Sequence, residues 1–240
     1  MMLEILFEDD HYIAINKPAG LLVHRTKIAK NDDATYAMQL LRDQIGKWVY
    51  PLHRIDRPTS GILLFAKSSE DASLFTTLFT EHKIEKLYLA TVRGYLKEDQ
   101  FVSDYPLKKD LIGDLQEART SFWSLAKIEL PYASSPKFAT SRYSLVKAFP
   151  QTGRMHQIRR HLAHERNYLI GDTTHGENKQ NKFFREKFSL QNILLHAWQV
   201  KFIHPISHEE VNIQAPLPDH FLNIIHKLGW KDTASKLNIV

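Results

Sequence analysis

His53-Arg54-Ile55-Asp56-Arg57-Pro58-Thr59-Ser60-Gly61-Ile62-Leu63-Leu64-Phe65-Ala66-Lys67 has two halves with different physics. Residues 61–66 form a short apolar run of strand-like length, the mark of a buried strand. The first half sets one His, two Arg and one Asp within five residues. Between the halves, Pro58-Thr59-Ser60-Gly61 predicts a turn, because Pro fixes φ and Gly allows positive φ. A carboxylate between two arginines, in a loop feeding a core strand, is held ionised, since nearby positive charge favours the anion. An ionised, positioned Asp56 is what nucleophilic catalysis at carbon requires. The same charge pattern also occurs in surface loops as solvated ion pairs, so charge alone leaves both uses open.

Working outward, the 240 residues suffice for one large or two small domains with a substantial core. A chain that is 43% hydrophobic and 25% charged is ordinary for a globular protein, which argues against disorder. The absence of cysteine excludes a disulfide scaffold, a thiol nucleophile and thiolate metal sites. The first ten residues turn acidic after a short apolar run, the reverse of a signal peptide, and no apolar run approaches the roughly 20 residues of a membrane span. A soluble cytoplasmic protein is expected, with no membrane partner. The net charge is +5, and its distribution is uneven. Residues 137–166 hold seven Lys or Arg against one acid, Glu165, so the positive field is concentrated there.

Short strands are predicted at 3–7 and 12–15, with an Asn16-Lys17-Pro18-Ala19-Gly20 turn after them. A helix is predicted over 32–44 and an amphipathic one over 69–82, capped by Ser69 and with Leu74, Phe75, Leu78 and Phe79 as its apolar stripe. Residues 86–94 alternate as a strand, placing Tyr88 opposite Leu87 and Leu89. Further strands are predicted at 118–130, 141–149 and 193–203. The dense stretch 151–164 reads as a turn at Thr152-Gly153 into a helix with Ile158 and Leu162 on one face. A helix over 216–229, with Phe221, Leu222 and Ile225 inward, closes the chain. No repeat, low-complexity segment or charged linker interrupts it, so a single domain over 1–240 is expected.

The run at 53–67 resembles the signature of the RluA-type pseudouridine synthases, HRLD-x-x-TSGLLL-x-AK, with Ile55 and Ile62 in place of Leu. Four further stretches resemble the same family: Asn16-Lys17-Pro18 through His24, Lys86-x-Tyr88-x-Ala90-x-Val92-x-Gly94, Thr152-Gly153-Arg154 through Ala163, and Leu194-Leu195-His196-Ala197. Together they span about residues 3–218. Arg57-Pro58, Arg159-Arg160 and Gly171-Asp172-Thr173-Thr174-His175-Gly176 look closest to the branch that modifies uridine 65 in the T stem of tRNA. Many relatives carry an RNA-binding module ahead of the catalytic part; none is expected here.

Rival readings are weaker. His156, His161 and His164 could suggest a metal, but five residues put His156 and His161 about 140° apart on a helix. No two glycines are two apart, and Glu177 follows Gly176 where a Walker loop needs Lys. A two-carboxylate glycoside hydrolase would need a second acid, for which Asp172 is the tempting residue. A pure RNA-binding module would explain the basic segment but not Asp56.

The resemblance implies an α+β fold, with a curved, mostly antiparallel sheet, flanking helices and a central basic cleft. It implies isomerisation of uridine to pseudouridine in structured RNA, most readily tRNA, with ribosomal RNA as the alternative target. No cofactor and no metal is needed. Asp56 would be the nucleophile or base, Arg159 its cationic partner, and Tyr88 would lie on the uracil. Leu194 or Leu195 would complete an apolar wall. Arg54 would enter the space of a flipped base. Lys17, His53, Arg57, Arg154, Arg160 and His161 would contact phosphates. A monomer is expected, since no coiled-coil pattern appears.

Overall fold

A computed structural model of the chain describes residues 1–24, 35–134 and 137–239. They fold as α+β in two compact units, Met1–Lys86 with Ala197–Pro216, and Leu87–His196 with Leu217–Val240. The first unit opens with β1 (Glu4–Glu8), β2 (Tyr12–Lys17), α1 (Ala37–Ile45), β3 (Tyr50–Pro51), β4 (Ser60–Ala66) and α2 (Ser69–Thr80). The chain continues through β5 (Glu85–Arg93), β6 (Gln100–Ser103), β7 (Leu107–Lys108), β8 (Leu115–Gln116), β9 (Thr120–Leu130), β10 (Ser141–Pro150), α3 (Gln157–His164) and α4 (Asn178–Phe188). β11 (Leu195–Ile203) and β12 (Glu210–Gln214) return it to the first unit, and α5 (Asp219–Lys227) and α6 (Lys231–Lys236) end it in the second. Among the described residues, no helix is long and apolar enough to cross a membrane.

In the first unit the strand order is β1-β2-β4-β11, with β12 beside β11 and β3 beside β4. The ladders β1/β2, β2/β4, β3/β4 and β11/β12 are antiparallel. All seven residues of β4 are buried. Alternation divides them: Ile62, Leu64 and Ala66 pack with Tyr12, Ala14, Phe75 and Phe202, while Leu63 and Phe65 pack with Ile13, Ile15, Leu41 and Val49. Helix α2 covers one face and α1 the other. A strand covered on both faces needs no polar alternation, which is why this one reads as a continuous apolar run. Gly61 sits at φ +108°, and a Cβ there would lie 2.2 Å from the Ala197 carbonyl oxygen. Only glycine fits where β4 and β11 approach this closely.

Several helix details differ from expectation. Ser68, one residue before Ser69, caps α2: its Oγ accepts from the Asp71 N–H at 3.0 Å and donates to Asp71 Oδ2 at 2.7 Å. Leu74 is 50% exposed, and the buried stripe runs through Phe75 with Ala72, Leu78 and Phe79 packed beside it. The helix expected over 32–44 is Ala37–Ile45: Tyr36 is an extended N-cap at φ −118°, and residues 32–34 of the expected helix lie outside the described residues.

In the second unit the order is β5-β10-β9-β6, antiparallel throughout. Ala90, Val92, Phe101, Phe122, Val146 and Ala148 build its core from the sheet, and Ile158 and Leu162 of α3 close over it. On the other edge of β5, the Arg93 and Thr91 N–H groups donate to the carbonyls of Tyr168 and Leu194. Helix α3 begins at Gln157, later than the Thr152-Gly153 turn suggested, because His156 adopts a left-handed conformation at its N-cap. In α5 the inward residues are Phe221, Ile224 and Ile225, with Leu222 half-buried.

Candidate active site

The loop between β3 and β4 carries Asp56, and its backbone is tied down on several sides. Ile55 is buried, anchoring the loop in the core. The Thr59 N–H donates to the Asp56 carbonyl at 3.0 Å, closing a turn across Arg57 and Pro58. Gly20 N–H donates to the Arg57 carbonyl at 2.8 Å, and Arg57 Nε donates to the Gly20 carbonyl at 2.9 Å. The Asp56 side chain is half-buried, and Arg54, on the far side of Ile55, is exposed.

Lys17 is the third tie, and its placement corrects the expectation of a phosphate contact. The side chain is fully buried, and its Nζ donates to the carbonyls of Pro18 (2.9 Å), Leu21 (2.9 Å) and Arg57 (3.2 Å). Three acceptors use all three N–H bonds of an ammonium. Burial draws its pKa down to about 7, with nearby Asp56 opposing and Arg57 assisting.

His53 is corrected likewise. Its Nε2 accepts from the Leu64 N–H at 3.1 Å, which requires the neutral ring. Burial, then the Lys86 charge, depress its pKa to about 3, against a raising hydrogen bond with the Arg54 backbone. A neutral ring engaged by β4 is not a phosphate-binding cation.

The other side chains singled out in the sequence lie in the second unit. Tyr88 on β5 is half-buried and packs against the cluster that contains Ala90, Ile158 and Leu195. Leu194 and Leu195 are both buried, but only Leu195 joins this cluster. Arg159 on α3 is 4% exposed. Its Nε donates to Asp172 Oδ2 at 2.7 Å and its second guanidinium nitrogen to Oδ1 at 2.8 Å. In the sequence Asp172 stands out as the tempting second acid and as part of the Gly171–Gly176 stretch that resembles the family, with no sign of its pairing to Arg159. In the fold both of its oxygens are occupied, since Oδ1 also accepts from the Thr174 and His175 N–H groups. Burial raises its pKa, but the Arg159 bonds and charge and these two N–H groups outweigh it and hold the carboxyl below the usual range.

Arg160 donates to the carbonyls of Lys108 (3.0 Å) and Met155 (3.3 Å), and Arg154 Nε to that of Glu117 (2.9 Å); both side chains are half-buried. His161 is fully buried, with its ring nitrogens 2.9 Å from Thr120 Oγ1 and from the Tyr105 carbonyl. Burial lowers its pKa. It is a packing residue of α3, which corrects its expected phosphate contact. His156, His161 and His164 go to different partners: His156 to His175 at 2.9 Å, His161 inward, and His164 onto the Tyr105 ring.

Residues 11–164, crossing both units, match the family described as RNA pseudouridylate synthase. The chain belongs to the RNA pseudouridylate synthase family. It is therefore an isomerase by family, as the motif at 53–67 implied. Within the family it is 47% identical to a Vibrio parahaemolyticus protein named tRNA pseudouridine synthase C, over 98% of each chain. A Yersinia pestis protein of the same name is 41% identical, over 100% of this chain and 96% of its own. Two solved human structures share the fold. RNA Pseudouridylate Synthase Domain Containing 4 has a TM-score of 0.72 at 23% identity, covering 94% of this chain and 93% of its own. RNA Pseudouridylate Synthase Domain Containing 1 has a TM-score of 0.69 at 23% identity, covering 90% and 84%.

Proposed function

We propose that this protein converts uridine 65 in the T stem of tRNA to pseudouridine, with Asp56 as the catalytic carboxylate. The observation that carries the reading is Asp56 itself: it stands at the acidic position of the family signature, on a loop pinned by Lys17, Gly20 and Thr59. The names of the Vibrio and Yersinia relatives support tRNA as the substrate.

The reaction breaks the C–N glycosidic bond, turns the uracil and joins C5 to the ribose C1′. C5 gives up its hydrogen as a proton, and the ring nitrogen recovers one. Atoms balance without an oxidant, a reductant or a phosphate donor. Asp56 either attacks the ribose or takes a proton from it; both need an ionised, immobile carboxylate. Arg159 is its proposed cationic partner, and Tyr88 the surface on which the uracil lies, with Leu194 or Leu195 behind. A stacked uridine must leave the stem to react, and Arg54 is suited to fill its place, being exposed and planar. Arg57, Arg154 and Arg160 are the proposed phosphate contacts. Both units together constitute one catalytic domain, acting as a monomer in the cytoplasm; the family match running across both units supports a single domain.

The test is a tRNA transcript tritiated at uridine C5, given to the purified protein without added nucleotide or reductant. Tritium should enter the solvent and pseudouridine should appear at position 65. Free uracil with an abasic site would overturn the isomerase reading, and pseudouridine at another position would overturn the assignment to uridine 65.

A further inference from the structure

Arg159 and Asp172 are both buried, and a buried ion pair is a weak source of stability because desolvation cancels much of the attraction. Orientation is the better explanation of this one. Two parallel bonds of 2.7 and 2.8 Å fix the plane of the guanidinium, which one bond, or a lysine, would leave free to turn.

The carboxylate is itself built into place. Asp172 lies in residues 171–176, where Thr174 and His175 donate their N–H groups to its Oδ1 at 2.9 and 3.0 Å. Asn181 of α4 clamps the start of this loop: its Oδ1 accepts from the Gly171 N–H and its Nδ2 donates to the Asp172 carbonyl, both at 2.8 Å. Gly171 and Gly176 admit the tight path, since a Cβ at either would stand 2.2 Å from a backbone oxygen. The far end of the loop is tied to the root of α3. The His175 ring meets that of His156 at 2.9 Å, and His156, at φ +52°, is the N-cap three residues ahead of Arg159. The same short loop thus holds both the tip of Arg159 and the start of its helix.

We propose that Asp172 is the positioning residue for Arg159 in the reaction, held for that task by Asn181 and by the His156–His175 pair. The proposal rests on the reading above that Arg159 serves the chemistry. Asp172→Asn tests it with little change of shape. The amide oxygen can keep three of the four bonds at Asp172, while its NH2 replaces Oδ2 and faces the Arg159 Nε–H, donor against donor.

The experiment measures kcat and KM for tritium release from C5-labelled tRNA with wild type, Asp172→Asn, Arg159→Met and the double variant. Asp172→Asn should lower kcat about 10²-fold, the scale of a misplaced catalytic group, with KM little changed. The double variant should be no slower than Arg159→Met alone, because a residue acting through Arg159 has nothing to position once it is gone. An equal further loss in the Arg159→Met background would mark Asp172 as merely structural and overturn the proposal, as would wild-type kcat in Arg159→Met. Should Asp172→Asn fail to fold, Arg159→Lys decides: it keeps the charge and loses the fork, so kcat should fall nearly as far as in Arg159→Met, and an unchanged kcat would overturn the proposal. A wild-type protein that releases no tritium overturns the reading of the reaction, and this proposal with it. That result is distinct from an active wild type matched by an equally active Asp172→Asn.

Discussion

The Nζ of Lys17 lies 3.2 Å from the carbonyl oxygen of Arg57, forty residues further along the chain and next to Asp56. A buried ammonium therefore joins the Asn16–Gly20 turn to the loop that carries the proposed catalytic carboxylate. Removing it as Lys17→Met leaves the carbonyls of Pro18, Leu21 and Arg57 without this donor. Each buried polar group left unmatched costs about 1–3 kcal/mol, so a loss of at least about 2 kcal/mol is expected in urea denaturation, together with slower turnover. The pH dependence has a definite sign. The Lys17 pKa is about 7 in the fold against an ordinary 10.5. Between these values the unfolded chain holds a proton that the folded chain has released, so stability from this group rises with pH, by up to about 1.4 kcal/mol per unit. Below about pH 7 both states are protonated and the slope vanishes. Wild type should gain on Lys17→Met as the pH is raised from 7 towards 10; a constant gap would contradict this.

His53 should matter to the fold and not to phosphate binding. His53→Ala deprives the Leu64 N–H of its acceptor, at an expected cost of about 1–3 kcal/mol. The salt dependence of tRNA binding should stay as in wild type, whereas Arg160→Ala should reduce the slope of log K against log salt by about one. With a folded pKa near 3 against an ordinary 6.5, the neutral His53 ring contributes in full above pH 6.5 and its contribution is lost as the pH falls towards 3. A shallower salt slope in His53→Ala would restore the histidine to the RNA contacts.

Gly61→Ala should be among the most damaging substitutions outside the proposed catalytic residues. Its φ of +108° strains any residue with a Cβ, and the new atom would sit 2.2 Å from the Ala197 carbonyl oxygen, a backbone atom that cannot swing aside. Strain of this kind costs about 1–3 kcal/mol before the overlap is counted, so a loss above about 3 kcal/mol is expected. A melting curve showing less than about 1 kcal/mol of destabilisation would contradict the close approach of β4 and β11.

Much of this architecture is legible in the sequence, and the part that is not has physical reasons. Residues 61–66 read as a buried strand because apolar residues at consecutive positions have few other uses at that length. The family is legible because its signature is long and uninterrupted. The fate of basic side chains is not. Lys17 and His161 look like RNA contacts beside Arg57 and Arg160, yet each is buried by partners remote in sequence, the Arg57 carbonyl for one and Thr120 with the Tyr105 carbonyl for the other. Helix α4 escapes notice because its buried face is Phe184 with two polar residues, Gln180 and Asn181, whose burial depends on hydrogen bonds to Ser134, Tyr143, Gly171 and Asp172. Ser68 and Ser69 are equivalent as caps until the backbone chooses between them. Asp172 reads as a rival acid because no local pattern shows that a guanidinium thirteen residues earlier already holds it.

The central claim is that Asp56 carries the reaction, and Asp56→Asn tests it most directly. The side chain keeps its size and loses its charge and its capacity to act as a nucleophile or base. With purified variant checked for deamidation, tritium release from C5-labelled tRNA should fall to background. Binding of the same tRNA should stay within about tenfold of wild type, or about 1.4 kcal/mol. Retained tritium release by Asp56→Asn would contradict the account, whatever its effect on binding.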